Sequence, residues 1–405
     1  MTLGRGNDEP VIGRVLLLAD ESAQHVIAGL SQLDRLLRTL EECFAAELAR
    51  GAPPQVVVWW KTAGLIEQRT TRLPVSYRAG AEPVGPPAEP AQTLLLGTRA
   101  IFKRGALARL LGAPERSPSF ALLAPADFPA DWESLAGRLG PVDSDSVWTV
   151  ESSADIPRVQ RQLLRATGKA SDGLVSRTLN RPLSRLLSRL LLPTRVTPNQ
   201  ISFLVLSVLA ASTWMLARGT PQGFVVGILL FQLASVLDGC DGEIARAKFL
   251  ETRFGAWLDT SVDLFGNFLL ALAVAVGLSR QPGLSLELRN TYLLEGALTS
   301  AAIALGIVGV ARARPRHRAD FNDFGSTAVD RLGVPAALKP AVQLVVHLLR
   351  RDSYALVFVL FAVFGRPEWI LHGLAIAVAL HLPVIAWSWW FTSRTASRLK
   401  AQDRA

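Results

Sequence analysis

Four aspartates, Asp238, Asp241, Asp259 and Asp263, stand between long apolar runs in the least polar half of the chain. The runs approach twenty residues, roughly the length that crosses a bilayer as a helix. A carboxylate near hydrocarbon is costly, about 3 kcal/mol at the bilayer centre, so four together ask for a function. Their spacing suggests one. Asp238 and Asp241 are three apart and Asp259 and Asp263 four apart, so each pair shares one face of its own helix. If the chain turns back between them, the pairs face each other. Carboxylates held that close repel unless cations sit between them. Hard divalent ions take oxygen ligands, and two of them can bridge a diphosphate. The bland alternative is four aspartates that cap helices or pair with nearby arginines.

The residues around the aspartates fit the first reading. Gly242 and Ala245 keep one helix face bare, so a ligand can approach the backbone. Arg246 offers a fork for phosphate oxygens. Gly255 opens the second helix without a side chain. The pattern D-x2-D-G-x2-A-R-x8-G-x3-D-x3-D resembles the signature of the CDP-alcohol phosphatidyltransferase family, and every fixed position is filled. The resemblance implies that Asp238, Asp241 and Asp259 hold two divalent ions, Mg2+ or Mn2+, with Asp263 sharing one of them. It also makes Asp263 the general base. Gly242, Arg246, Thr252 and Gly255 are implied contacts to the CDP group. The TPN at 197–199 is similar to the element opening the family's first span, which adds Asn199. Members are commonly homodimers, so a homodimer is expected.

Composition bounds the rest. The 405 residues carry a formal charge of +9. The arginines cluster beside the apolar runs, which points to anionic headgroups and membrane topology rather than nucleic acid. Two cysteines, Cys43 and Cys240, argue against a disulfide scaffold or a zinc site. The first residues, MTLGRGNDEP, lack the apolar core of a signal peptide.

Residues 1–170 read as a soluble α/β domain. Strands are expected at 12–20, 54–60, 93–97, 119–125 and 146–152, helices at 30–49 and 104–112, and loop at 73–91. Strands alternating with helices predict a three-layer arrangement. This half resembles a sugar-nucleotidyltransferase domain that has lost its chemistry. Active members carry a glycine- and arginine-rich phosphate loop and then a lysine after the first strand, where this chain reads ADESAQHVIAGL. Gly97, Thr98 and Arg99 stand where the family has a metal-binding aspartate. Asp20 and Glu21 are the available replacement ligands, although a strand-end acid more often caps a helix. The expected role is scaffolding or regulation.

Residues 171–405 read as an α-helical polytopic membrane domain, joined through a polar helical linker at 153–170. An interfacial helix is expected at 174–192, with Arg177, Arg181, Arg185 and Arg189 recurring every four residues among leucines. Six transmembrane helices follow, at about 200–217, 221–240, 255–279, 291–311, 352–366 and 368–392. Basic residues crowd alternate loops: Arg246, Lys248 and Arg253, then Arg312 to Arg318 with Arg350 and Arg351, then the tail. Both termini and the aspartates are therefore expected on the cytoplasmic side of an inner membrane. Trp387, Trp389 and Trp390 read as interfacial anchors, His381 as a packed histidine, and Glu295 as snorkelling or paired. The link at 312–351 sets topology or lends arginines to substrate phosphate.

The implied reaction moves a substituted phosphate from a CDP-alcohol to an acceptor hydroxyl, releasing CMP. A CDP-diacylglycerol donor, serving phospholipid synthesis, is placed first. The alternative is a soluble donor such as CDP-inositol. A nucleotidyltransferase-like domain joined through DG-x-x-S-R-x-x-N-R to this membrane domain resembles the bifunctional inositol-phosphate cytidylyltransferase/phosphodiester synthases. A catalytically inactive membrane scaffold is the rival from another class.

Overall fold

The computed structural model describes residues 12–312, apart from 67, 81–83, 85–91, 113–117, 126–127, 129–130 and 169–172, and then 351–380. The chain divides into two compact units. One runs to Thr167 and is grouped with the short segments Leu192–Thr194 and Ala247–Phe249; the other holds the remainder.

The first unit is built on strand β1 (Ile12–Ala19). A two-residue ribbon follows, β2 (Val26–Ile27) and β3 (Leu30–Ser31), and then helices α1 (Gln32–Cys43) and α2 (Ala45–Ala49). Next come β4 (Gln55–Trp60), β5 (Val75–Ala79), β6 (Gln92–Gly97), β7 (Ala100–Phe102), α3 (Ala106–Leu111) and β8 (Phe120–Leu123). Helix α4 (Trp132–Ala136), β9 (Val147–Thr149) and α5 (Ile156–Ala166) complete it. The main sheet has the order β5-β4-β1-β6-β8, parallel except for β8. Central strands of such a sheet are covered on both faces and lose their polar alternation. In β1, Val15 and Leu17 pack on one face with Leu33, Leu36 and Leu40 of α1, while Leu16 and Leu18 pack on the other with Leu135 of α4. The three layers expected from the sequence are present.

Two local expectations fail. Residues 73–91, expected as loop, contain β5, an edge strand that pairs in parallel with β4. Its burial is only partial, so no apolar run betrays it. The helix expected over 30–49 starts later, at Gln32, where Ser31 caps it by accepting from the Asp34 amide, and it breaks at Phe44.

The second unit is helical. A π turn at Ser176–Asn180 leads into α6 (Arg181–Leu191), followed by α7 (Pro198–Ala217), α8 (Pro221–Lys248), α9 (Arg253–Ser279) and α10 (Leu286–Arg312). Two shorter helices, α11 (Arg351–Val363) and α12 (Glu368–Leu380), close the described part. Helices α7, α8 and α9 are long and apolar enough to cross a bilayer. Of the six spans expected, these three coincide with helices of sufficient length and apolarity, and the end of the last expected span, with His381 and Trp387 to Trp390, lies outside the described residues. So do most of the 312–351 link and the tail. Glu295 is paired: both its carboxylate oxygens lie within 3.0 Å of His372 Nδ1.

The arginine row of α6 does not hold to one face. Residues four apart drift by about 40° per step on a helix of 3.6 residues per turn. Arg181 is accordingly turned inward and buried, while Leu183, Leu186 and Leu190 are exposed. The helix is amphipathic, as expected, but its inward face is polar and its outward face carries leucine, which suits contact with lipid.

Candidate active site

Helix α8 runs two turns past the apolar run, carrying Asp238 and Asp241 on one face. The chain reverses at 249–252, with Phe249 in the left-handed region at φ 55°. Thr252 then starts α9 as its cap, accepting from the Gly255 amide at 2.9 Å. The reversal puts Asp259, two turns into α9, opposite the first pair. One carboxylate oxygen from each of Asp238, Asp241 and Asp259 lies within 4.8 Å of the others. This is the single group of its kind among the described residues.

Three carboxylates this near cost heavily through mutual repulsion, and an oxygen-only donor set suits a hard divalent cation that offsets the repulsion. The residues therefore fit a hard divalent cation. Asp263 sits one turn further along α9 and is not in the group. It is half-buried on the same face as Asp259. That separation suits a residue with a different task from its neighbours.

The other expected residues lie around the group. The Arg246 guanidinium folds back over Gly242, where an added Cβ would stand 3.0 Å from Nη2. Gly242 thus makes room for the arginine. Ala245 is buried. A Cβ on Gly255 would lie 3.1 Å from Thr252 Oγ1 and 3.5 Å from Asn199 Oδ1, so Asn199 reaches the start of α9 from α7.

Two contributors were not legible as such. Ser202, one turn after Asn199, donates to Asp241 Oδ2 at 2.7 Å and ties α7 to the acid cluster. Its three-residue spacing from Asn199 was the available signal. Glu243, fully buried two residues after Asp241, accepts from Ser184 Oγ at 2.7 Å and from Arg181 Nη1 at 3.3 Å. A carboxylate among apolar neighbours in α8, facing away from the aspartate row, was its signal.

The first unit has a cavity of about 770 Å3, lined by polar and apolar side chains, beyond the carboxyl ends of β1, β4 and β6. Ligands of open parallel sheets bind in that position. Here Asp20 caps a short turn, accepting from the Ser22 amide at 2.9 Å, and it accepts from Arg99 Nε at 2.9 Å. Arg99 thus brings a positive charge to Asp20. Asp20 and Glu21 belong to no cluster of metal-ligand type among the described residues. Burial alone would raise the Asp20 pKa, but the Ser22 hydrogen bonds and the Arg99 charge bring it below the ordinary value. A lowered carboxylate contributes stability that is present above the unfolded pKa near 3.9 and lost as pH falls through the folded value. The urea midpoint of the first unit, followed by tryptophan fluorescence, should fall with acid below about pH 4, and Asp20→Asn should flatten that fall.

Comparison with known proteins matches the stretch of sequence that holds the acid cluster. Residues 195–350 match the sequence profile of the CDP-alcohol phosphatidyltransferase family. A protein of Thermococcus kodakarensis named bifunctional IPC transferase and DIPP synthase is 38% identical over 134 residues, which are 32% of this chain and 29% of that one. A protein of the same name from Rubrobacter xylanophilus is 33% identical over 217 residues, 52% of this chain and 47% of its own. The archaetidylinositol phosphate synthase of Pyrococcus horikoshii is 27% identical over 112 residues, 27% of this chain and 57% of its own. The chain spans less than half the length of the two bifunctional relatives. The matched residues, 195–350, are similar to the domain of that family, and the helices α7, α8 and α9 within them are long and apolar enough to cross a bilayer.

Proposed function

We propose that this chain, through the phosphotransferase domain at 195–350, moves a substituted phosphate from a CDP-alcohol to an acceptor hydroxyl and releases CMP. The observation that carries the reading is the convergence of Asp238, Asp241 and Asp259 from two antiparallel helices. Asp263 takes the proton from the acceptor hydroxyl as that oxygen attacks the phosphorus bearing the donor alcohol. The bond from this phosphorus to the bridging oxygen breaks, and CMP departs with that oxygen. Arg246, beside Gly242, offers its guanidinium to diphosphate oxygens. Asn199, Thr252 and Gly255 shape the wall against which the nucleotide lies. Bound divalent ions supply charge neutralisation of the diphosphate and of the departing CMP.

For the donor, the order given by the sequence is reversed. The names of the two bifunctional relatives, IPC transferase and DIPP synthase, support CDP-inositol as donor over CDP-diacylglycerol, and the archaetidylinositol phosphate synthase supports inositol as one member of the pair. The first unit does not make that donor in this reading, because Asp20 is tied to a cap and to Arg99. The protein works as a homodimer with six spans and with the aspartates and both termini in the cytoplasm, as the arginine-rich loops favour.

The test is CMP release by the purified protein in detergent with Mg2+. CDP-inositol and CDP-diacylglycerol are offered in turn against polyols and polyol phosphates. CMP from the soluble donor is expected. CMP from the lipid donor alone returns the enzyme to phospholipid synthesis, and none from either favours the scaffold. With CTP and polyol phosphates in place of a CDP-alcohol, no pyrophosphate should appear.

A further inference from the structure

The inward face of α6 is a polar stripe, and it meets a second one on α8. Asn180, Ser184 and Ser188 recur every four residues, with Arg181 beside them, and all four are buried. On α8 the matching row is Gln232, Ser235, Gly239 and Glu243, at intervals of three, four and four. Such intervals keep residues on one helix face. Hydrogen bonds join the rows from Asn180 to Ser184. Gln232 Nε2 donates to Asn180 Oδ1 at 2.8 Å, and Asn180 Nδ2 donates to Ser235 Oγ at 3.4 Å. Ser184 Oγ and Arg181 Nη1 donate to Glu243 Oε1 at 2.7 and 3.3 Å.

The place of closest approach is Gly239. A Cβ there would lie 3.0 Å from both Cβ and Oγ of Ser184 and 3.5 Å from Arg181 Nη1. Gly239 lies between Asp238 and Asp241 in the chain, so α6 presses on the backbone that joins two carboxylates of the acid group. Glu243, held by α6, lies two residues beyond Asp241.

An apolar seam lets two helices slide or roll at low cost, whereas a seam of paired polar groups fixes their register. A metal site needs its ligand oxygens held to within about 0.5 Å. We propose that α6 is a positioning element for the candidate metal centre: Arg181 and Ser184, seated in the notch at Gly239 and bonded to Glu243, fix the rotation of α8 that points Asp238 and Asp241 at Asp259. Arg181, Ser184 and Glu243 are positioning residues, acting through the aspartates. This rests on the reading of the aspartates as a metal site.

The test measures Mn2+ affinity of the substrate-free, full-length protein in detergent, by the electron paramagnetic resonance signal of free Mn2+. Arg181→Gln should raise the Kd about tenfold, in line with loss of groups that orient metal ligands. Arg181→Lys, which keeps the charge, should stay within about threefold. In turnover, the Mn2+ concentration for half-maximal rate should rise with the Kd while kcat at saturating Mn2+ stays near wild type. A general loss of structure would lower kcat at every Mn2+ concentration instead. If Arg181→Gln leaves Glu243 uncompensated and the protein does not fold, the double variant Arg181→Gln with Glu243→Gln removes the buried charge and should show the same weakening. Ser184→Ala, which keeps the Cβ contact, carries the test if neither folds, with a smaller rise. Wild-type affinity in whichever of these variants folds overturns the proposal. A wild-type protein that binds no Mn2+ overturns instead the metal reading on which it rests.

Discussion

The Asp263→Asn protein loses turnover by about 10²- to 10⁴-fold and still binds Mn2+ with near wild-type affinity. The two halves of that result come from one feature of the site. The mutually close oxygens belong to Asp238, Asp241 and Asp259, and Asp263 is set apart by a turn of α9. Asparagine keeps the shape and polarity of the side chain but cannot accept the hydroxyl proton as a carboxylate does. Asp241→Asn is the contrasting variant. It withdraws one of three charges from the group and weakens the bond that Ser202 makes to Oδ2, so Mn2+ binding fails along with turnover. CMP release and Mn2+ titration of both variants check the assignment. Should Asp263→Asn lose Mn2+ binding to the same extent as Asp241→Asn, Asp263 is a ligand first and the base lies elsewhere. Full turnover in Asp263→Asn would leave the scaffold reading standing.

The Gly277→Val protein does not hold its helical unit together. A Cβ at Gly277 would lie 2.2 Å from the Leu216 carbonyl oxygen and 3.1 Å from the Phe224 ring. The obstacle includes backbone, so no rotamer change relieves it. Nearby, Gly219 has φ +70° and brings its own bare Cα against the Gly277 carbonyl oxygen, where a Cβ would stand at 2.3 Å. The ends of α7 and α9 thus cross on two glycines. Small residues at a helix crossing let backbones come within van der Waals range in the membrane, where there is no hydrophobic drive between helices. Forcing a branched side chain into such a crossing costs about 3 kcal/mol or more. The expected signs are loss of a monodisperse peak in detergent and early labelling of Cys240, which is fully buried, in a Cys43→Ser background. Gly283→Asn is the control. Gly283 also has positive φ, +79°, but open space around it, and asparagine tolerates that backbone. Equal labelling of the two variants would show that the crossing is looser than its distances imply.

Both effects hinge on information the sequence holds unevenly. The aspartate spacing, three and four, sets each pair on one helix face whatever surrounds it, because 3.6 residues per turn is a property of the backbone. The same holds for the unbroken apolar run of β1, which needs cover on both faces. Hence the three-layer first unit, the apolar helices and the acidic hairpin were readable from residue order alone. Local spacing says nothing about what a face meets. Whether Asp263 joins the other three depends on how two helices cross, and the arginines of α6 look alike until one of them, Arg181, is found buried against Glu243. Ser202, Glu243 and Gly239 gained their parts the same way: each is unremarkable in sequence and is defined by a partner about 39 to 62 residues away in the chain. The sequence determined which groups are available and on which face each one lies. The tertiary structure alone decided which faces meet, since that choice rests on packing and on the pairing of buried polar groups between distant segments.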